Sequence, residues 1–135
     1  MKVLIDTNVI LDVLANRKEF VNDSSKIFKL CEVNELDGYI SALTIPNIVY
    51  ILRKELDGEK VKDIIEKLSL MFGIVDLKSE DLKRAAQLNF EDYEDAVQSY
   101  QASRIKADYI VTRNIKDYKN SKIMAIKPAE LLDRI

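Results

Sequence analysis

The sequence predicts a three-layer α/β/α sandwich built on a central parallel sheet, and three observations carry that expectation. Short apolar runs, Val3-Leu4-Ile5 first among them, are too brief for helices and suit strands buried on both faces. Between these runs lie segments whose apolar residues recur at helical spacing. The alternation persists along the whole chain, and strands separated by helices favour parallel pairing with helices covering both faces. No linker, repeat or low-complexity tract interrupts it, so one domain over residues 1–135 is expected.

The elements follow in order. Asp6 stands at the carboxyl end of the first strand, and Thr7 has the side-chain oxygen a helix N-cap favours. Val9, Ile10, Val13 and Leu14 mark the first helix, and Asn16-Arg17-Lys18 breaks it. Asp23 or Ser24 can cap a second helix running to about Leu36, with Ile27, Phe28, Leu30, Cys31 and Leu36 inward. Asp37-Gly38 reads as a turn and residues 39–42 as a short strand. Thr44 caps a third helix with Pro46 in its first turn, where a missing N–H does no harm. Ile45, Ile48, Val49, Ile51 and Leu52 form its apolar face. Asp57-Gly58 ends it; Val61, Ile64, Ile65, Leu68 and Met71 mark a fourth helix stopped by Gly73, and residues 74–77 are a strand. Ser79 caps a fifth helix to about Leu88, and Asp92 caps a sixth that buries Tyr93, Ala96, Val97, Tyr100 and Ile105. Residues 108–112 are a central strand, 122–126 the last strand, and Pro128 opens a terminal helix.

Composition removes whole classes of chemistry. With His at 0, serine and cysteine triads, HExxH zinc sites and histidine bases are excluded. The single Cys31 lies in an apolar helical pattern and reads as a buried structural thiol. Catalysis must then rest on carboxylates, amides, hydroxyls, Lys, Arg or a bound metal. A net charge of −2 gives no global pull on nucleic acid, so any such contact needs a local basic surface. No apolar run approaches the ~20 residues that span a bilayer, and the N-terminus opens on a strand in place of a cleavable signal, so a cytoplasmic protein without membrane contact is expected.

Asp6 is the residue around which a site can be built. Ligands of open α/β sheets bind at the carboxyl ends of strands, and a strand core has no use for a charge. The plain alternative is that Asp6 caps the helix. Two other stretches carry oxygen donors: Asp92-Tyr93-Glu94-Asp95 at a helix start, and Thr112-Arg113-Asn114-Ile115-Lys116-Asp117 after the central strand. If the strand 108–112 lies beside the first, Asn114 and Asp117 reach the sheet edge of Asp6, and a helix start there brings in Asp95. Carboxylates gathered without a counter-charge raise one another's pKa values. Mg²⁺ or Mn²⁺ relieves this, and such an ion can activate water and stabilise an in-line phosphoryl displacement. Simpler readings stand beside these: Asp92 and Asp95 as a capping box, Asn114 and Asp117 as a turn, Asp12 as a residue of the polar helix face.

Four stretches together resemble the PIN domain, the fold of VapC-type toxin ribonucleases: Leu-Ile-Asp-Thr-Asn-Val-Ile-Leu-Asp (4–12), Ser-Ala-Leu-Thr-Ile-Pro-Asn-Ile-Val-Tyr-Ile-Leu-Arg-Lys (41–54), Asp-Tyr-Glu-Asp-Ala-Val-Gln (92–98) and Ala-Asp-Tyr-Ile-Val-Thr-Arg-Asn-Ile-Lys-Asp-Tyr (107–118). The resemblance covers essentially the whole chain. It implies that Asp6 and Asp95 are the principal metal-ligating acids, with Asn114 and Asp117 completing the acidic pocket and Asp117 a third ligand. Thr7, Asn8, Asn47, Asp92, Glu94 and Thr112 would surround and orient these groups, and Arg113 and Lys116 would hold RNA phosphates. It further implies Mg²⁺- or Mn²⁺-dependent cleavage of RNA, a cognate antitoxin protein and a homodimer. One departure stands out. Many toxin-type members carry a glutamate where this chain has Asn47, and the Thr-Ile-Pro-Asn version resembles a particular subgroup. Asn47 can still ligate a metal or orient its water through the amide oxygen. Two other functions are kept open: an RNA-binding or assembly module with a decayed site, and a phosphohydrolase of the haloacid-dehalogenase type, whose second Asp would fall where Asn8 stands.

Overall fold

The computed structural model describes residues 1–135. Five strands form one all-parallel sheet in the order β3-β2-β1-β4-β5. They are β1 (Lys2–Ile5), β2 (Asp37–Ser41), β3 (Gly73–Val75), β4 (Tyr109–Val111) and β5 (Ala125–Ile126). The helices are α1 (Thr7–Leu14), α2 (Val21–Glu32), α3 (Thr44–Ile51), α4 (Gly58–Met71), α5 (Ser79–Ala85), α6 (Tyr93–Arg104) and α7 (Pro128–Asp133), with a single 3₁₀ turn over Ile115–Tyr118.

β1 is the central strand, and its side chains divide between the two faces with period two. Val3 and Ile5 join the larger core with Ile10 of α1, Ile27 of α2, Leu68 of α4 and Leu131 of α7. Leu4 points into a smaller core with Ala102 of α6, Ile110 and Tyr118. Helices therefore cover both faces, as the near-continuous apolar strands required. No helix is long and apolar enough to cross a membrane.

The strand order places the site. From β1 the chain winds outward through β2 and β3, then returns to the other side of β1 to build β4 and β5. The connections thus diverge between β1 and β4, and a crevice opens at the carboxyl ends of these two strands. Pairing of Ile5 with Val111 leaves Asp6 and Thr112 as the next residues on either side.

Several expected boundaries move, each for a local reason. α2 ends at Glu32, short of Leu36, because Asn34 adopts a left-handed φ of 62°. Asp37-Gly38 is no turn but the start of β2. Gly38 is buried there against Cys31 and Phe72, where an added Cβ would collide with the Cys31 sulfur. Glycine serves close packing at that position. Gly73 opens β3 instead of merely ending α4. The last strand shrinks to Ala125–Ile126. Thr7 and Thr44 lie inside the first turns of their helices and do not cap them, nor does Ser79, which follows the α5 cap position. Ile51, expected on the buried face of α3, is 49% exposed.

One ion pair ties α5 to α6. Asp81 is fully buried and accepts from Arg104 Nε at 2.9 Å and Arg104 Nη2 at 2.8 Å, while its Oδ2 also accepts from the Lys78 N–H. Arg104→Met leaves that carboxylate without a counter-charge and is expected to lower stability by about 3–5 kcal/mol in urea denaturation. The Asp81→Leu/Arg104→Met double substitution should recover part of that loss. Gly38→Ala is expected to destabilise by about 1–3 kcal/mol through overpacking, and adding Cys31→Ala should relieve it.

Candidate active site

Asp6 occupies the N-cap position of α1 with extended dihedrals, yet its side chain makes no capping bond. Both of its oxygens face the crevice. Oδ1 accepts from Gln98 Nε2 at 3.0 Å, and Oδ2 accepts from Thr112 Oγ1 at 2.8 Å. The Thr112 hydroxyl is aligned in turn by the Asn114 N–H at 3.1 Å and, more loosely, by Asn8 Nδ2 at 3.4 Å. The capping reading of Asp6 is excluded by this geometry.

Asp95 reaches the same crevice from α6. The Asp92 side chain caps that helix by accepting the Asp95 N–H at 3.1 Å, which leaves the Asp95 carboxylate free for other partners. It accepts instead from the Tyr118 hydroxyl at 3.2 Å. Gln98 Nε2 also donates to that hydroxyl at 3.2 Å, so Gln98 and Tyr118 form a continuous bridge between Asp6 and Asp95. These two residues were missed in the sequence. Gln98 lies in the quoted 92–98 stretch one helical turn after Asp95, a spacing that puts both on one face. Tyr118 gave no signal distinguishing it from a core aromatic.

The electrostatics are those of crowded acids. Burial pushes the Asp6 carboxyl up, although Gln98, Thr112 and Tyr118 pull it partly back. Asp95 is pushed up to about 7, first by burial and then by the charges of Asp6, Asp92 and Asp117. Burial, reinforced by Asp6 and Asp95, raises Tyr118 well above its ordinary value and keeps it a neutral donor. None of the chain's ion pairs involves Asp6, Asp92, Glu94, Asp95 or Asp117. Gln98 Oε1 is buried beside these acids without a donor.

The remaining expected residues fall into three groups. Thr7 Oγ1 lies 2.9 Å from Thr44 Oγ1 and donates to Glu94 Oε1 at 3.4 Å, and the nearby Asn47 side chain favours the charged form of the same Glu94 carboxylate. Asp117 and Lys116 are exposed and, with Asp92, Asp95, Phe90 and Lys119, line a groove of about 770 Å³. Asn114 is exposed, and its backbone rather than its side chain engages Thr112. Arg113 is turned elsewhere. Its Nε lies 2.8 Å from Oδ2 of the fully buried Asp12, and its guanidinium stacks 4.1 Å from the Phe20 ring centre. Asp12, read as a polar-face residue, is thus an interior anchor for Arg113 and Arg17.

Hard oxygen donors with uncompensated charge and an orphaned buried carbonyl fit Mg²⁺ or Mn²⁺ in kind. No three acids are close enough as they stand to form a finished cage. A cation would be held by Asp6 and Asp95, with water completing its shell.

Known proteins share this fold. A family model described as the PIN domain matches residues 2–116. Ribonuclease VapC1 of Aquifex aeolicus is 25% identical over 138 residues, spanning 98% of this chain and 94% of that protein. Among solved structures, VapBC2 from Rickettsia felis bound to a promoter DNA fragment superposes with a TM-score of 0.72 at 16% identity, over 94% of this chain and 98% of that one. A toxin–antitoxin complex from Klebsiella pneumoniae superposes with a TM-score of 0.69 at 18% identity, over 93% and 97% of the two chains. The matched segment contains β1, α6 and β4, the three elements that bring Asp6, Asp95 and Thr112 together, and the chain belongs to the PIN domain family.

Proposed function

We propose that the protein is a divalent-metal-dependent endoribonuclease and the toxin of a toxin–antitoxin pair. The observation that carries this reading is the Asp6–Gln98–Tyr118–Asp95 bridge, which fixes two acids in one crevice with no positive partner. The similarity to Ribonuclease VapC1 supports RNA as substrate, and the likeness to toxin–antitoxin structures supports a protein antitoxin. Asp6 and Asp95 hold the Mg²⁺ or Mn²⁺ and Asp117 adds charge at the groove. When bound, the cation supplies an activated water and stabilises charge on the phosphate. Lys116 and Lys119, on the groove wall, contact the RNA backbone; such contacts position a strand without reading its bases. A homodimer is part of the same proposal.

A second reading, a PIN-shaped RNA-binding module with little or no activity, is favoured by one observation: the acids do not form a finished cage. The two separate on one experiment. Asp6→Asn and Asp95→Asn are each expected to lower Mn²⁺-dependent cleavage of a mixed RNA pool by more than about 100-fold, since loss of a residue that only orients a ligand already removes about 10–100-fold. Circular dichroism should be unchanged. RNA binding indifferent to Mn²⁺, with no cleavage by the pure wild type, would establish the binding module.

The pH dependence follows from Asp95. In the unfolded chain its carboxyl ionises near 3.8, and in the metal-free fold near about 7. Between these values the native state holds the extra proton, so the Asp95 contribution to stability is full below the lower value and is lost as pH rises through the upper one. Thermal melts of the metal-free protein should therefore show stability falling from pH 5 to pH 8, with a flatter profile for Asp95→Asn. Mn²⁺ affinity should rise over the same window, because the cation displaces that proton.

A further inference from the structure

Glu94 is the acid to which the proposed reaction gives no part. It begins α6 and is only half-exposed, and three helix starts meet around it. Thr7 of α1 donates to its Oε1 at 3.4 Å, a long bond, while Thr7 Oγ1 is itself fixed 2.9 Å from Thr44 Oγ1 of α3. Asn47, one turn along α3, lies close enough for its side chain to favour the charged form of the same carboxylate. The charges that act on it are those of Asp6 and Asp92, both acids, and no Lys or Arg pairs with it.

A glutamate in a first helical turn is already favoured by the helix dipole when it extends into water. Glu94 instead turns back toward Asp6, against the repulsion between like charges. Thr7 of α1 bonds to it there, and Asn47 of α3 stands close by. A second observation comes from Gln98, one turn further along α6 and bonded to Asp6. Gln98 is 1% exposed, its amide nitrogen sits 3.0 Å from Asp6 Oδ1, and its carbonyl oxygen has no donor at all. Buried acceptors are nearly always satisfied in folded proteins, and one left open among acids marks a position for a cation or its water.

We propose that Glu94 is a carboxylate of the cation-binding set alongside Asp6 and Asp95, and that Asn47 is a positioning residue that holds Glu94 toward Asp6. The inference rests on the divalent-metal reading above. It also accounts for Asn47 itself. The site loses no charge by having an amide on α3, because the acid arrives from α6 and the amide becomes its support.

The test is calorimetric titration of Mn²⁺ alone into the full-length protein, with Asp6→Asn as reference. Glu94→Gln, which keeps shape and hydrogen-bonding capacity, should weaken Mn²⁺ binding by at least about tenfold, and Asn47→Ala by a comparable factor. In the Glu94→Gln background, Asn47→Ala should have no further effect, as a double-mutant cycle requires of a residue acting through its neighbour. The exchanged pair Asn47→Glu/Glu94→Asn should bind more tightly than Glu94→Gln. If Glu94→Gln binds Mn²⁺ like wild type while Asp6→Asn does not, Glu94 is outside the set and this inference fails with the metal reading intact. Additive losses for Asn47→Ala and Glu94→Gln would overturn the positioning role. If Asp6→Asn itself binds like wild type, the metal reading fails and takes this proposal with it.

Discussion

Asp6 gives up the bond that its position in the chain offers it, and the site follows from that choice. A carboxylate at a helix N-cap ordinarily accepts from its own first turn. Here α1 goes without a side-chain cap, and both Asp6 oxygens accept from other elements, Gln98 on α6 and Thr112 after β4. Those two bonds span 92 and 106 residues of sequence. They tie the start of α1 to the two elements that close the crevice, at the place where the connections diverge. α3 repeats the pattern: it too lacks a side-chain cap, and the Thr44 hydroxyl faces Thr7 across the gap. Side chains at these helix starts bond to one another and not to the backbone of their own first turns.

The architecture was legible in the sequence because its signals are local. Val3-Leu4-Ile5 could only be a doubly buried strand, and the alternation of elements left parallel pairing as the natural outcome. The site was legible to the extent that its residues stand at element ends, as Asp6, Asp92 and Asp95 do. What escaped was set by long-range contact. Gly38 looks like a turn residue until the proximity of Cys31 and Phe72 is known. Tyr118 is indistinguishable from a core aromatic until Asp95 is placed 3.2 Å from its hydroxyl. Arg113 reads as an RNA contact beside the acids, but its partner is a fully buried Asp12 on α1, three strands earlier in the chain. An unpaired interior carboxylate is far more unfavourable than a lost surface contact, so Asp12 determines where Arg113 goes.

The diversion of Arg113 changes how a polyanion can approach. Near the acids the positive charge is left to lysines at the rim, Lys116 and Lys119 among them. Lysine places a mobile point charge and lacks the planar fork by which arginine grips a phosphate. In the proposed ribonuclease, selectivity among RNAs would come from the shape of the groove between residues 89–92 and the 3₁₀ turn, or from a partner surface.

The acids have a final consequence for stability. Asp95 near about 7, Asp6 raised by burial and Glu94 raised by burial and by Asp6 all oppose the metal-free fold once they ionise. The scaffold tolerates this because β1 is packed on both faces and its neighbours are buried with it, so the crevice residues cannot relax apart without opening the core. The same rigidity would serve the proposed cation. A flexible site would answer repulsion by swinging its carboxylates into water, and an arriving ion would have to gather them again. Held by Gln98, Tyr118, Thr112 and Thr7, the acids keep their mutual repulsion, and the proposed cation would draw affinity from relieving it.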